Sequence, residues 1–460
     1  MPRPDPVTIV SNREPYSVRG RKITRNVGGL VAAFEPLFKK NGGAWVAYGA
    51  GLKKSKIMVF PSEKAKFSLH RLALKRGEYG AYYYGFSNRV LWPLCHQFSE
   101  KCSFIIEYWQ GYKKVNRKFA NYILRLPGQE VVWIQDFHFS LLPAMIKKRK
   151  PSLKLMFFWH IPWPSPSVFS ILPWRRQILE GLLGSDLLAF HTQEFVDNFI
   201  LSVVRILKDA VVNGDSITYK SHTTALKAIP IGIDYKHYRS MAELKQTFNM
   251  AEKQRSSFGN NKIILAVDRL DYTKGILRRL WAFEYFLDTH PEWRGKVSLL
   301  QIATPSREGV SEYRRLKMDI DRTIGRLEGK FGTPSWQPIF YFYRKYSPKQ
   351  LAAFYRMSDA SLLTPLFDGW NMVASEYVAS QVDGKGALIL SEFAGASSFF
   401  KEAFICNPYD TAQVASYINA ALKLPAAKKK RRMEAMRKKI EDHDVFEWMN
   451  KNLNALDERP

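Results

Sequence analysis

Two α/β domains, each a parallel sheet flanked by helices, are what this sequence predicts, and three observations predict them. Short apolar runs recur, each followed by a loop and then an amphipathic segment, as in a parallel sheet covered by helices. That series resets once, after Ala228-Ile229-Pro230-Ile231-Gly232-Ile233. A chain of 460 residues, 46% hydrophobic and 14% aromatic, also exceeds what one core typically organises.

The elements follow in order. In the first half, strands are expected at residues 8–10, 45–48, 131–134, 155–159 and 187–190. The third leads into a helix containing Leu141, Leu142 and Met145, the fourth into a proline-rich loop, and the fifth into a helix over about residues 194–207. The second series runs 263–267, 297–302, 339–343, 361–364 and 387–390. With the junction near 232–240, the domains are expected at 1–235 and 236–440, followed by a terminal helix in 441–460. Ser347-Pro348-Lys349-Gln350 offers a serine cap, an early proline and a glutamine three residues after the cap. Asp444-Val445-Phe446-Glu447 repeats that logic, and the last helix presents Val445, Trp448, Met449, Leu453 and Leu456 on one face. That face either packs on its own domain or bridges back to the first.

Bulk properties exclude some classes. No apolar run approaches the ~18 residues of a membrane span, and the N-terminal stretch lacks the longer apolar region and cleavage site of a signal peptide. Cys95, Cys102 and Cys406 form neither a disulfide framework nor a metal box, so a cytoplasmic protein is expected. The formal charge of +28 admits three readings: solvated helix faces, steering of anionic small substrates, or binding of a polyanion. The runs Lys147-Lys148-Arg149-Lys150 and Lys428-Lys429-Lys430-Arg431-Arg432 suit the third. The second run, however, also alternates with Met433, Met436 and Ile440 at helical spacing.

Chemistry concentrates where strands end. Asp268-Arg269-Leu270-Asp271-Tyr272-Thr273-Lys274-Gly275 follows the strand at 263–267, and ligands of open α/β sheets bind at strand carboxyl ends. Arg269 as a planar fork and Lys274 as a point charge could clamp a diphosphate, or they could pair with Asp268 and Asp271. In Phe367-Asp368-Gly369-Trp370-Asn371-Met372-Val373-Ala374-Ser375-Glu376, two acids stand eight residues apart across a turn that opens a helix. The first can accept from sugar hydroxyls and the second from a ribose, with first-turn N–H groups as added donors. Two ordinary surface acids are the plain alternative. Ser11-Asn12-Arg13 follows the first strand, and Gly28-Gly29 opens a helix that can admit a phosphate or sugar to bare N–H groups. The Tyr82 to Asn88 stretch with Trp92 is either a sugar wall or core, while Gln135-Asp136 and Trp159-His160 end strands with polar groups.

Together these segments resemble the trehalose-6-phosphate synthases, retaining glycosyltransferases with two Rossmann-like domains facing a cleft, the GT-B architecture. The likeness runs from about residue 7 to 450 through SNREPY, NVGGL, YYYGFSNRVLWP, EYWQGYKKVN, FFWHIPWPS, DLLAFHT, RLDYTKG, PSREGVSEY, PLFDGWNMVASEYVA and LILSEFAGAS. The resemblance implies that Arg269 and Lys274 grip the donor diphosphate. Asp368 holds glucose hydroxyls, helped by Gly369 and the N–H groups around Trp370, Asn371 and Met372. Glu376 holds the ribose and His160 the glucose 6-hydroxyl. Gly28 and Gly29 line the donor phosphates. Arg13, Arg307, Tyr83 and Trp92 take the acceptor 6-phosphate, and Asp136 touches the acceptor sugar. The chain departs from the family pattern at Gln135 (commonly His), Tyr84 (Asn), Phe367 (Arg), Trp370 (Met) and Ser375 (Lys).

The implied reaction moves glucose from UDP-glucose, or from the ADP or GDP sugar, to glucose 6-phosphate with retention. It needs no metal or other cofactor, no nucleic acid and no membrane. The chain ends soon after the synthase region, so a separate phosphatase is expected downstream, and a homo-oligomer is left open. Two rivals stand beside this reading. One is a glucosylglycerol-phosphate synthase using glycerol 3-phosphate; the other is a catalytically silent, basic binding protein of the same fold.

Overall fold

The computed structural model describes residues 7–19, 22–25, 34, 38, 42–60, 67–307 and 310–458. The chain divides into two compact units, residues 1–231 with 445–460, and residues 232–444.

In the first unit the strands are β1 (Val7–Ser11), β2 (Tyr16–Arg19), β3 (Lys22–Arg25), β4 (Gly43–Tyr48), β5 (Lys56–Phe60), β6 (Phe67–Leu72), β7 (Val131–Gln135), β8 (Lys154–Phe158), β9 (Leu187–Phe190), β10 (Val211–Asn213), β11 (Ser216–Tyr219) and β12 (His222–Ala228). All but the β2–β3 hairpin join one sheet in the order β10-β11-β12-β9-β8-β7-β1-β4-β6-β5. Its centre, β12 through β6, is parallel, and antiparallel strands finish both edges. In the second unit, β13 (Lys262–Arg269), β14 (Val297–Thr304), β15 (Ile339–Tyr343), β16 (Ala360–Leu363), β17 (Leu388–Ser391) and β18 (Phe404–Cys406) form a parallel sheet ordered β15-β14-β13-β16-β17-β18. Counting parallel strands in chain order, both sheets begin 3-2-1-4-5-6, the doubly wound Rossmann order. The direction of winding reverses between β1 and β7 in one sheet and between β13 and β16 in the other. Each reversal opens a crevice at the strand carboxyl ends.

The central strands are the ones the apolar runs announce. Residues 263–267 of β13 are all buried, as a parallel strand covered on both faces requires. β6 was not anticipated, because Phe-Ser-Leu-His-Arg-Leu interrupts its apolar pattern. The polar groups are nevertheless buried with partners: Arg71 donates to Glu14, and the His70 ring hydrogen-bonds Tyr122 Oη at 2.8 Å. The edge strands β10 and β11 carry too little apolar burial to read as strands from sequence.

The expected serine cap is present in full: Ser347 accepts from the Gln350 N–H, and the Gln350 side chain accepts from the Ser347 N–H. The last helix, Val445–Asp457, is part of the first unit, where Trp448 meets Trp133 and Phe158 at ring separations of 5.1 and 5.0 Å. On that helix Asn452 takes the buried position expected of Leu453, donating to the Trp448 carbonyl at 2.8 Å. Where the chain crosses between units, a Cβ on Gly232 would sit 2.3 Å from the Asp444 carbonyl carbon, so only glycine fits.

The basic runs are partly internal. Lys147 bonds Asp186 at 2.7 Å, and Lys429 is buried on the same helix as Met433, Met436 and Ile440. Those lysines are structural anchors, which weakens the polyanion reading of the charge. No helix among the described residues is long and apolar enough to cross a membrane.

Candidate active site

The crevice of the second unit lies where the loops after β13 and β16 meet. Gly275 closes the first loop at φ 67°, and its missing Cβ leaves room for the Thr364 carbonyl of the second loop. The Leu366 N–H then donates to the Thr273 carbonyl at 2.7 Å and locks the two loops together. Within this frame Lys274 Nζ reaches Asp368 Oδ2 at 2.6 Å, and Asn371 Nδ2 donates to the same oxygen at 3.2 Å. Asn371, at φ 84°, also caps the helix Met372–Ser380 by accepting from the Ala374 N–H at 3.1 Å. Ahead of the capped Ala374, the Met372 and Val373 N–H groups of the first turn have no intrahelical acceptor.

The other acids of the β13 loop are committed elsewhere. Asp268 is buried against Arg279, whose guanidinium also bonds Gln301 Oε1 at 2.9 Å and Thr364 Oγ1 at 3.0 Å. Asp271 accepts from Arg307 and from Tyr313 Oη, both at 3.1 Å, and from the Thr273 N–H, also at 3.1 Å. Burial alone would raise the Asp271 carboxyl, but Arg307, Arg269, the Thr273 N–H and Lys274 outweigh it and hold it below the usual range. Asp271 is therefore ionised and paired, Asp268 is paired with Arg279, and Lys274 is bonded to Asp368.

One turn further along the helix, Glu376 accepts from Tyr238 Oη at 3.0 Å and Tyr355 Oη at 2.9 Å, one phenol on each oxygen. Burial pushes its carboxyl above the ordinary range, and the two phenols pull it part of the way back. Each oxygen keeps a lone pair for a diol, because a carboxylate has about four acceptor sites.

The crevice of the first unit is built differently. Asp136 sits just past β7 at φ 74°, and its Oδ1 accepts from the N–H groups of Phe137 (2.9 Å) and His160 (3.2 Å). His160 Nε2 bonds Gln135 Oε1 at 2.8 Å, and its ring lies between Phe158, His191 and Trp448 at 4.5, 5.4 and 6.2 Å. Burial, with a smaller contribution from His191, holds His160 well below its usual pKa; burial takes His191 down to about 3. Both rings are neutral near pH 7, so this crevice presents hydrogen-bonding groups with little formal charge. Tyr83 is buried, clamped between the near-parallel rings of Tyr79 and His138 at 4.9 and 5.8 Å.

A family model described as glycosyltransferase family 20 matches residues 5–458. The chain belongs to glycosyltransferase family 20. It is 39% identical over 464 residues to a trehalose-6-phosphate synthase of Mycobacterium sp. strain JLS, covering 97% of this chain and 95% of that one. It is also 39% identical over 454 residues to the bifunctional trehalose-6-phosphate synthase/phosphatase of Thermoproteus tenax, covering 96% of this chain but 62% of that protein's length. Among solved structures, a trehalose-6-phosphate protein from E. coli bound with UDP-2-fluoro glucose superimposes with a TM-score of 0.90 at 31% identity, over 98% of this chain and 99% of that one. An α,α-trehalose-phosphate synthase (UDP-forming) from Burkholderia xenovorans in complex with glucose-6-phosphate gives 0.89 at 30% identity, over 98% and 100% of the two chains. The two-domain GT-B fold class is thereby established.

For this family 20 chain, the residues proposed from sequence divide between the two crevices. Lys274, Asp368 and Asn371 touch one another, and Gly369, Trp370, Met372 and Glu376 belong to the same turn and helix. Arg269 ends β13, and its charge is felt at Asp271. Arg307, at φ 50°, lies against Asp271 and Tyr313. Asp136 and His160 adjoin in the first unit, with Tyr83 beside His138 and Trp92 against His96 and Phe137. Arg13 is exposed just after β1. Gly28 and Gly29 lie outside the described residues. Among those residues no group of three or more His, Cys, Asp or Glu side chains is placed to hold a metal. Sequence reading missed Tyr238, Tyr355 and Arg279. Each acts across more than ten residues of chain, and no local pattern marks any of them.

Proposed function

We propose that the chain transfers glucose from UDP-glucose to glucose 6-phosphate, giving α,α-trehalose 6-phosphate with retention. The observation that carries this reading is the Lys274–Asp368–Asn371 cluster at the switch point of the second sheet, with Glu376 on the same helix. In this reading, residues 236–440 bind the donor. Arg269 and Lys274 neutralise the diphosphate, Asp368 and the first-turn N–H groups hold the glucosyl ring, and Glu376 takes the ribose diol. Residues 1–235 bind the acceptor through Arg13, Tyr83, Trp92 and Asp136, and Arg307 is assigned to the acceptor phosphate. Gly28 and Gly29 approach the donor phosphates, and His160 holds the glucose 6-hydroxyl.

Charge grows on the diphosphate as the glycosidic C–O bond breaks, so cations fixed beforehand lower that barrier. The acceptor hydroxyl attacks the same face of the anomeric carbon, and its proton passes to the departing diphosphate oxygen. Positioning supplies the remainder of the catalysis. The protein works in the cytoplasm, needs no metal, and makes a product that a phosphatase can dephosphorylate.

Purified protein incubated with UDP-, ADP- and GDP-glucose and glucose 6-phosphate tests this. A disaccharide phosphate made fastest from UDP-glucose is the expected result; none from any donor refutes it. A parallel incubation with glycerol 3-phosphate separates the hexose acceptor from the three-carbon one.

A further inference from the structure

Among the described residues, none of those assigned above lines a second opening in the first unit. A pocket of about 730 Å³ is walled by Tyr48, Tyr79, Tyr84, Leu52, Leu74 and Arg76 over a floor of glycine backbone. That volume suits a compact polar ligand of one or two rings. The floor is bare: a Cβ built on Gly51, Gly77 or Gly80 would meet nothing within 4 Å.

The lining has the chemistry of sugar-phosphate recognition. Phenol rings offer flat apolar faces with hydroxyls at their rims, and burial keeps Tyr48 and Tyr79 protonated by raising both. Tyr84 is 45% exposed and stands edge-on to Tyr79, at 5.7 Å and 87°. Arg76 makes no ion pair among the described residues, so its permanently charged fork is available to a phosphate.

The pocket is also wired to the acceptor residues. Tyr48, Tyr79, Tyr83 and His138 form one column of near-parallel rings, at 4.2, 4.9 and 5.8 Å with tilts of 19°, 14° and 11°. At its far end, His138 Nδ1 is 3.8 Å from Asp136. Of the three tyrosines of the pocket, Tyr79 stacks directly on the Tyr83 ring and Tyr48 backs Tyr79. The segment that carries Tyr83 and Tyr84, Gly80–Leu91, winds as a π-helix, a rare form associated with functional sites.

We propose that this pocket is a second sugar-phosphate site whose occupancy steadies the tyrosine column and so tightens binding of the acceptor. The coupling, though not the site itself, rests on the acceptor reading given above.

The test counts bound ligand. Equilibrium dialysis against labelled glucose 6-phosphate is expected to give two equivalents per chain, falling to one in Arg76→Ala and in Gly77→Leu, whose side chain fills the floor. Inorganic phosphate and glucose run in parallel show whether the anion or the ring suffices; weaker binding of each at this site is expected, because both parts contribute. Acceptor saturation is expected to be sigmoidal in the native chain and hyperbolic in both variants. Their half-saturation should be raised about fivefold at unchanged maximal rate. One equivalent in the native chain that is retained in both variants, or two that persist in both, overturns the site; one that both variants lose supports it and removes the acceptor reading. Two equivalents in a chain that makes no disaccharide phosphate would support the site and sink the transfer reading instead.

Discussion

The two crevices share one topology and opposite electrostatics. In both sheets the crevice lies where strand order reverses, between β1 and β7 and between β13 and β16. The second crevice holds three ion pairs, Lys274–Asp368, Arg279–Asp268 and Arg307–Asp271, with side chains at most 13% exposed. The first is made of neutral imidazoles, stacked tyrosines and an aspartate capped by two backbone N–H groups. Topology fixes where a ligand binds; the side chains fix which part of the reaction each half can hold. A diphosphate that gains charge suits the ionic half, and an uncharged hexose ring suits the other.

The largest expected effect breaks the ionic half outright. Arg279→Met leaves Asp268 buried without its cation and should cost about 3–5 kcal/mol of stability, read from denaturant unfolding. Its apolar side chain makes the loss electrostatic more than steric. Next, Lys274→Ala should lower turnover by about 10²–10³-fold with an unchanged circular dichroism spectrum, although leaving Asp368 without its cation lowers the melting temperature. A native rate would remove this lysine from the mechanism. Glu376→Gln keeps the shape but gives up the charge that a ribose diol would meet. It should raise the donor KM about tenfold, or about 1.4 kcal/mol, with a smaller change in kcat.

The neutral half should instead answer to acid. His191 stays neutral in the fold down to about pH 3, whereas an unfolded histidine takes its proton near 6.5. Below about pH 6.5 the unfolded state binds more protons, so stability falls as pH drops, by up to about 1.4 kcal/mol per pH unit for this group. The loss levels off only near pH 3, where the native ring protonates too. Melts of the native chain and of His191→Leu between pH 7 and 4.5 should show a shallower slope in the variant. Equal slopes would mean that the imidazole is already protonated in the fold.

The comparison also marks how far the sequence could be read. The inner strands were legible because residues 131–134 and 263–267 are unbroken apolar runs, which only a doubly covered strand needs. The Asp268–Gly275 and Asp368–Glu376 segments stood out because polar, glycine-bearing loops directly follow such strands. The partners of those loops did not. Tyr238 and Tyr355 reach Glu376 from separate helices, 138 and 21 residues away in sequence, and no periodicity encodes that meeting. The aromatic run at Tyr82–Tyr84 read as either core or sugar wall, and the structure divides it: Tyr82 and Tyr83 are buried and Tyr84 is exposed.

By itself, the sequence determined the alternation of strand and helix, the point where the series restarts, and which loops carry charge at strand ends. Those are local properties, set by side-chain periodicity and by the residues each turn demands. Tertiary structure alone decided which charges neutralise one another, which tyrosines are buried and which is exposed, and that Asn452, not Leu453, turns inward. Such outcomes depend on pairing across long stretches of chain, where burial makes every unpartnered polar group costly and so selects the arrangement in which most are satisfied.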